Sequence, residues 1–150
     1  MTLFEACYEH WVWSNGLTPL TAAEKVTVHL VTRLDSLDWH VALCDAGRLL
    51  AISGFSRAHH SRGAGFAING RAQLNDLYCH PDRWGQGLSR SLHDRALQEM
   101  RKRRYKEAQL WAPALNLRSR RFYERQGWIC MGGLIEYLGA TPLVRYHRAL

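Results

Sequence analysis

Two hydrophobic periods alternate along this chain. Leu88, Leu92, Ala96 and Met100 recur every four residues beside charged positions, which predicts an amphipathic helix. Trp39 to Cys44 and Leu49 to Phe55 are apolar runs of strand length, separated by Asp45-Ala46-Gly47-Arg48, a hairpin signal. Arg57 to Arg71 reads as a polar, glycine-bearing connection, and Gln73 to Cys79 as a further strand. Then come a strand over Glu107 to Ala112, a helix over Asn116 to Gln126, a strand over Trp128 to Ile135, and a closing strand over Pro142 to His147. At the start, Leu3 to Trp13 is aromatic-rich and reads as a helix. Thr21 to Arg33 reads as a second helix, with Thr21 as N-cap and Glu24 as its capping-box partner. This order implies a layered α/β (α+β) fold and one domain over residues 1–150, with no internal repeat, low-complexity tract or linker.

The run Leu77 to Leu92, L-Y-C-H-P-D-R-W-G-Q-G-L-S-R-S-L, carries the first chemical signal. A strand ends at His80-Pro81, a turn holds Gly85 and Gly87, and a helix starts at once. The first turn of a helix has unpaired N–H donors and a partial positive charge, and glycines let an anion approach the main chain. Gly87 is followed by Leu88-Ser89 rather than Lys-Ser/Thr, and Arg90 stands where the dinucleotide fingerprint wants a third glycine, so neither of those phosphate loops fits.

A second motif follows about 30 residues on: L-W-A-P-A-L-N-L-R-S-R-R-F-Y-E-R-Q-G-W, Leu110 to Trp128. Strand, glycine loop, helix, strand and an asparagine-led helix with F-Y-E-R-x-G-W closely resemble the GNAT superfamily of acyl-CoA-dependent N-acyltransferases. In that family the loop reads Gln/Arg-x-x-Gly-x-Gly/Ala and the second motif Asn-x(6)-Tyr-Glu-x-x-Gly-Phe. Asn116 and Tyr123 keep that spacing. The resemblance runs from about Trp39 to the C-terminal P-L-V-R-Y-H-R-A-L.

The resemblance implies a mixed, mostly antiparallel central sheet flanked by helices on both faces, and an N-acetyltransferase using acetyl-CoA or another acyl-CoA. By the same resemblance, the pantetheine arm would pair with Leu77, Tyr78 and Cys79. The pyrophosphate would take backbone N–H groups of Gly85, Gln86, Gly87, Leu88, Ser89 and Arg90. Asn116 would hydrogen-bond the cofactor arm, and Tyr123 would protonate the departing thiolate. Members usually begin with a strand, whereas the pattern here opens on a helix; a sheet edge left open that way would allow a homodimer.

Three positions depart from the pattern. Trp84 stands where the family prefers Gln or Arg, and Ser89 where it prefers Gly or Ala. Gln73 stands where many relatives place a glutamate as general base, and glutamine accepts no proton at neutral pH. The proton would then go to Asp76, to His59, His60 or His80, to a water chain, or nowhere if the amine arrives neutral. Strand alternation sets Asp76 on the opposite face from Gln73. Trp11, His59 and Gln73 are the candidate substrate contacts, with Glu5 and Glu9 an i, i+4 pair beside Trp11.

Composition and charge narrow the partners. The chain has 150 residues, 47% hydrophobic, enough for a core. No segment approaches a membrane span, and no signal pattern opens the sequence, which points to the cytoplasm. Cys7, Cys44, Cys79 and Cys130 are scattered, which implies buried or half-buried reduced thiols and no metal site. Between Arg101 and Arg125 lie nine Lys or Arg against two acids, Glu107 and Glu124, a net +7 that equals the formal charge of the whole chain. Arg118, Arg121 and Arg125 fall on one helix face. Such a face would serve a phosphorylated cofactor, or would draw tRNA.

The expected activity is transfer of acetyl from acetyl-CoA to a primary amine by direct attack in a ternary complex, since no cysteine lies in a nucleophile setting. One alternative takes aminoacyl-tRNA as donor or substrate. Another is a catalytically silent domain that binds acyl-CoA.

Overall fold

The computed structural model describes residues 37–150 except 47, 62, 63, 139 and 140. The two N-terminal helices expected from the sequence, with Trp11, Glu5, Glu9 and Cys7, lie outside the described residues. Six strands and two α-helices follow: β1 (Trp39–Asp45), β2 (Arg48–Ser61), β3 (Ala64–Cys79), α1 (Leu88–Lys102), β4 (Glu107–Pro113), α2 (Leu117–Arg125), β5 (Ile129–Leu138) and β6 (Thr141–Ala149). The strands hydrogen-bond in the order β1-β2-β3-β4-β6-β5. β1/β2, β4/β6 and β5/β6 are antiparallel, and β3/β4 is parallel. The mixed, mostly antiparallel sheet is the expected one.

The stretch Arg57 to Arg71 corrects the sequence reading. It is not a connection: β2 runs on to Ser61 and β3 starts at Ala64. Ala58 is fully buried between exposed Arg57 and half-buried His59, so strand alternation persists past Ser56 with polar side chains on the open face. Phe66, also exposed, shows that polarity is no guide to inside and outside here.

The chain divides into two compact units. One comprises Met1–Ser56 with Asp76–Gln98, the other Arg57–Asn75 with Glu99–Leu150. In the first, Leu50, Ala51, Ile52 and Phe55 of β2 are buried, as are Leu92, Ala96 and Leu97 of α1. Ala51, Cys79 and Leu92 form one apolar cluster, against which Val41, Leu77, Trp84 and Leu88 pack. In the second, Ala108, Leu110 and Ala112 of β4 are buried at the period of 2 that a strand face requires, and buried Tyr146 of β6 pairs with Leu110. The α1 register read from the sequence holds, since Leu92, Ala96 and Met100 are all buried.

The cysteines depart in one respect from the expected burial. Cys79 is buried and Cys130 half-buried, but Cys44 is exposed, because it sits where β1 meets a bulge in its pairing with β2. All three are free thiols. Among the described residues, no helix is long and apolar enough to cross a membrane.

Candidate active site

In the first unit, β3 ends at Cys79 and a 3-10 turn over Pro81–Arg83 leads into the glycine loop. Gly85 and Gly87 have φ of 76° and 79°, and a Cβ on either would meet nothing within 4 Å. The backbone conformation therefore demands glycine, while the space beside each stays open to a ligand. The first helical bond of α1 runs from Ser91 N–H to the Gly87 carbonyl at 3.0 Å. The backbone N–H groups of Gly85, Gln86, Gly87, Leu88, Ser89 and Arg90 have no acceptor among the described residues. Six successive donors at a helix N-terminus are the kind of group that can receive a multiply charged oxyanion.

Side chains of this unit brace the loop from below. Trp84 donates its indole Nε1–H to the Cys79 carbonyl at 2.7 Å and packs on the Ala51/Cys79/Leu92 cluster. The indole thereby ties the loop to the strand end. His80 is buried, its N–H donates to the Leu50 carbonyl at 2.7 Å, and its Nε2 accepts from Arg48 at 2.6 Å. Leu77 and Tyr78 are half-buried. The Cys79 thiol is directed at the carbonyls of His80 and Arg83, at 3.8 and 3.9 Å. Gln86 reaches back to the Asp82 carbonyl at 3.4 Å, and the exposed Arg90 lies 3.9 Å from Asp94. Asp76 is buried.

In the second unit, local chemistry sets both ends of α2. Asn116 caps it, its Oδ1 accepting from Ser119 N–H at 3.1 Å. At the other end Gly127, with φ of 83°, allows Trp128 N–H to reach the Tyr123 carbonyl and Gly127 N–H to reach that of Glu124, both at 3.0 Å. This is a Schellman closure, and the apolar contact that accompanies it is Tyr123 on Trp128, with ring centroids 6.2 Å apart. The Tyr-Glu-x-x-Gly-Trp signature is thus a helix terminator that fixes the Tyr123 ring. Tyr123 also lies 6.2 Å from the Tyr146 ring.

Tyr146 is fully buried. Its hydroxyl accepts from Arg120 Nε at 2.9 Å and donates to Glu124 at 2.7 Å. Burial pushes its pKa up to about 12, with Glu124 acting the same way and Arg120 opposing. The phenol in turn raises the pKa of Arg120.

Gln73 is buried, and its amide is hydrogen-bonded at both ends. Its Oε1 accepts from Gln109 Nε2 at 3.0 Å and its Nε2 donates to Asn75 Oδ1 at 2.8 Å. Gln109, fully buried, also donates to the His59 carbonyl at 3.3 Å. Arg71 holds Glu107 through two bonds of 2.9 and 2.7 Å, which depress the carboxyl's pKa. His59 and His60 lie on strand β2 rather than on the connecting loop expected, and no group of metal ligands occurs among the described residues.

The structure therefore gathers Leu77 to Arg90 in one unit, and Gln73, the His59 carbonyl, Asn116 and Tyr123 in the other. Sequence reasoning missed Arg48, Arg71 and Gln109. The signal for Gln109 was a lone amide inside the apolar run of β4, where a buried polar group must find partners.

The model of the acetyltransferase (GNAT) family matches residues 4–128. No curated protein matches the chain in sequence. Among solved structures, PH1933 from Pyrococcus horikoshii OT3 superposes with a TM-score of 0.72 at 14% identity, over 99% of this chain and 86% of that one. The ribosomal-protein-S18-alanine N-acetyltransferase of Escherichia coli gives 0.63 at 18% identity, over 87% and 78%. The PaiA N-acetyltransferase of Thermoplasma acidophilum, solved in complex with coenzyme A, gives 0.60 at 15%, over 97% and 94%. Fold, motif order and family model agree: this chain belongs to the GNAT family of acetyltransferases.

Proposed function

We propose that the protein transfers acetyl from acetyl-CoA to a primary amine by direct attack. The observation that carries this is the row of six unpaired N–H groups from Gly85 to Arg90, opened by two glycines of positive φ. Its donor number and spacing suit a pyrophosphate, and the likeness to an enzyme solved with coenzyme A supports the same cofactor. Leu77, Tyr78 and Cys79 would pair with the pantetheine arm. Asn116 keeps its Nδ2 for the cofactor while Oδ1 caps α2. Tyr123 would hand its proton to the thiolate. Calorimetry with acetyl-CoA, followed by thiol release over a panel of amines, tests this. Binding without thiol release on any amine would leave the silent acyl-CoA-binding domain as the answer.

A second reading, an aminoacyl-tRNA as donor or substrate, has an observation of its own. Arg101, Arg104, Lys106, Arg121 and Arg125 are exposed with no ion-pair partner among the described residues. The segment's two acids are already engaged, Glu107 by Arg71 and Glu124 by the Tyr146 hydroxyl. Arg104 even holds a left-handed φ of 65°, where glycine is preferred. Filter binding with tRNA over a salt series tests this reading. Affinity that falls steeply with salt and disappears on charge reversal at Arg118 and Arg121 supports it. Absence of binding at low salt ends it.

A further inference from the structure

Helix α2 is capped by Asn116 and carries Tyr123, yet none of its nine residues is buried. Leu117 is 54% exposed, and Arg118, Arg120, Arg121, Glu124 and Arg125 are charged, so little apolar surface holds the helix down. A helix this short has little stability in water without tertiary contacts. A polar bridge fastens it to β6. Arg120 and Glu124 stand four residues apart, on one helix face, and flank the hydroxyl of fully buried Tyr146. That oxygen accepts from Arg120 Nε at 2.9 Å and its O–H donates to Glu124 Oε1 at 2.7 Å. The direction is forced, because a guanidinium only donates and an ionised carboxylate only accepts.

The same guanidinium reaches a third element. Arg120 Nη1 donates to the Ala114 carbonyl at 2.9 Å, in the turn two residues before the Asn116 cap. One side chain therefore ties the β4–α2 turn, the helix and β6 together. Tyr123 shares this face, three residues after Arg120, and its ring meets that of Tyr146 with centroids 6.2 Å apart and planes at 45°. Ring contacts tolerate a small slide. Two hydrogen bonds to one oxygen do not, since they weaken steeply with angle and distance.

From this bridge we infer that Tyr146 and Arg120 are positioning residues for acyl transfer: they hold α2 at one height and pitch on β6, and so fix where the Tyr123 hydroxyl lies. The inference rests on the N-acetyltransferase reading above, with Tyr123 as the acid. Both residues act through Tyr123, inside the second unit, and neither needs to touch cofactor or amine. Attack by the amine forms the C–N bond and breaks the C–S bond. The thiolate takes the Tyr123 proton, and the phenolate regains one from water as the acylated nitrogen gives its own to water. Proton transfer needs the donor within hydrogen-bond reach, and misplacement by about 1 Å can cost about a hundredfold in rate.

The test is a double-mutant cycle on kcat, read as thiol release under saturating acetyl-CoA with the best amine of the panel. Tyr146→Phe keeps the ring and removes the hydroxyl. Arg120→Lys keeps the charge, but its single nitrogen cannot serve Tyr146 and Ala114 in the fork geometry. We expect each to lower kcat at least tenfold in variants whose circular dichroism matches wild type. In a Tyr123→Phe background no hydroxyl is left to place, so the same substitutions should change kcat less than about twofold. A merely structural role would give equal factors in both backgrounds, and that result overturns the inference. If Tyr146→Phe does not fold, Arg120→Lys carries the cycle on the same criterion. Wild-type kcat in either bridge variant, or in Tyr123→Phe alone, also overturns the inference and leaves the acetyltransferase reading standing. No thiol release by the wild type on any amine removes that reading, and the inference with it.

Discussion

The indole N–H of Trp84 is bonded to the carbonyl of Cys79, five residues earlier, at 2.7 Å. This single bond closes the glycine loop onto the end of β3, and it joins two segments proposed to hold the same cofactor. Trp84→Phe keeps most of the ring's packing but leaves the Cys79 carbonyl without this donor. The bond is partly buried, and an acceptor left unpaired by losing such a bond costs about 1–3 kcal/mol. We expect Trp84→Phe to lower unfolding stability by about 1–2 kcal/mol in urea titrations and to weaken acetyl-CoA binding severalfold. Unchanged affinity would show that the loop holds its shape without the tie.

Gly87 separates conformation from charge. No atom lies within 4 Å of a Cβ placed there, so Gly87→Ala meets only the strain of its φ of 79°, a cost of about 1 kcal/mol. Gly87→Glu adds a negative charge at the proposed pyrophosphate site. We expect at least a tenfold loss of acetyl-CoA affinity for Glu, beyond any loss for Ala, by calorimetry on folded protein. Equal affinities for the two variants would move the phosphates elsewhere.

What the sequence disclosed and what it hid divide along the range of the interactions. The α2 caps at Asn116 and Gly127 were legible because capping is settled within a few residues of the helix end. The α1 register was legible because an i, i+4 apolar repeat depends only on helix geometry. β2 and β3 past Ser56 were misread as a connection because Arg57 and His59 put polarity on one strand face and His60 on the other, which hides the period of 2 from a hydrophobicity count. The chain from Arg71 through Gln109 to Gln73 was invisible, because its partners lie 36 to 38 residues apart and no motif links them. The glutamine at 73 stood out only as the lack of a base. Its orientation is set from the neighbouring strand, through Gln109.

Tyr146 should report its burial as a late titration. Its pKa is raised to about 12, so the folded state favours the neutral phenol. For such a group the stabilisation is fully present below the unfolded pKa of about 10 and is lost as pH rises toward the folded value. Spectrophotometric titration should show one tyrosine ionising well after the others, and Tyr146→Phe should remove that step. Unfolding stability should decline from about pH 10 upward in the wild type, and less so in Tyr146→Phe. A tyrosine titration uniform near pH 10 would mean that the Arg120–Tyr146–Glu124 arrangement opens in solution.

Tyr123 is the residue proposed for the chemical step, and its surroundings sharpen the test. The ring is fixed by the Schellman closure at Gly127 and by contacts with Trp128 and Tyr146, so Tyr123→Phe should leave the packing in place. Only the hydroxyl is lost. A thiolate is a moderately good leaving group, and general acid catalysis typically contributes about 10²–10⁴-fold. We expect kcat under saturating acetyl-CoA to fall by about that range, with the dissociation constant for acetyl-CoA and the unfolding midpoint little changed. Because Tyr123 lies beside Tyr146, the Tyr146 titration step should persist in the variant and so certify the fold. Turnover equal to wild type would leave Tyr123 as a packing residue, with the thiolate taking its proton from water. A loss confined to acetyl-CoA binding would place its hydroxyl on the cofactor rather than in the proton transfer.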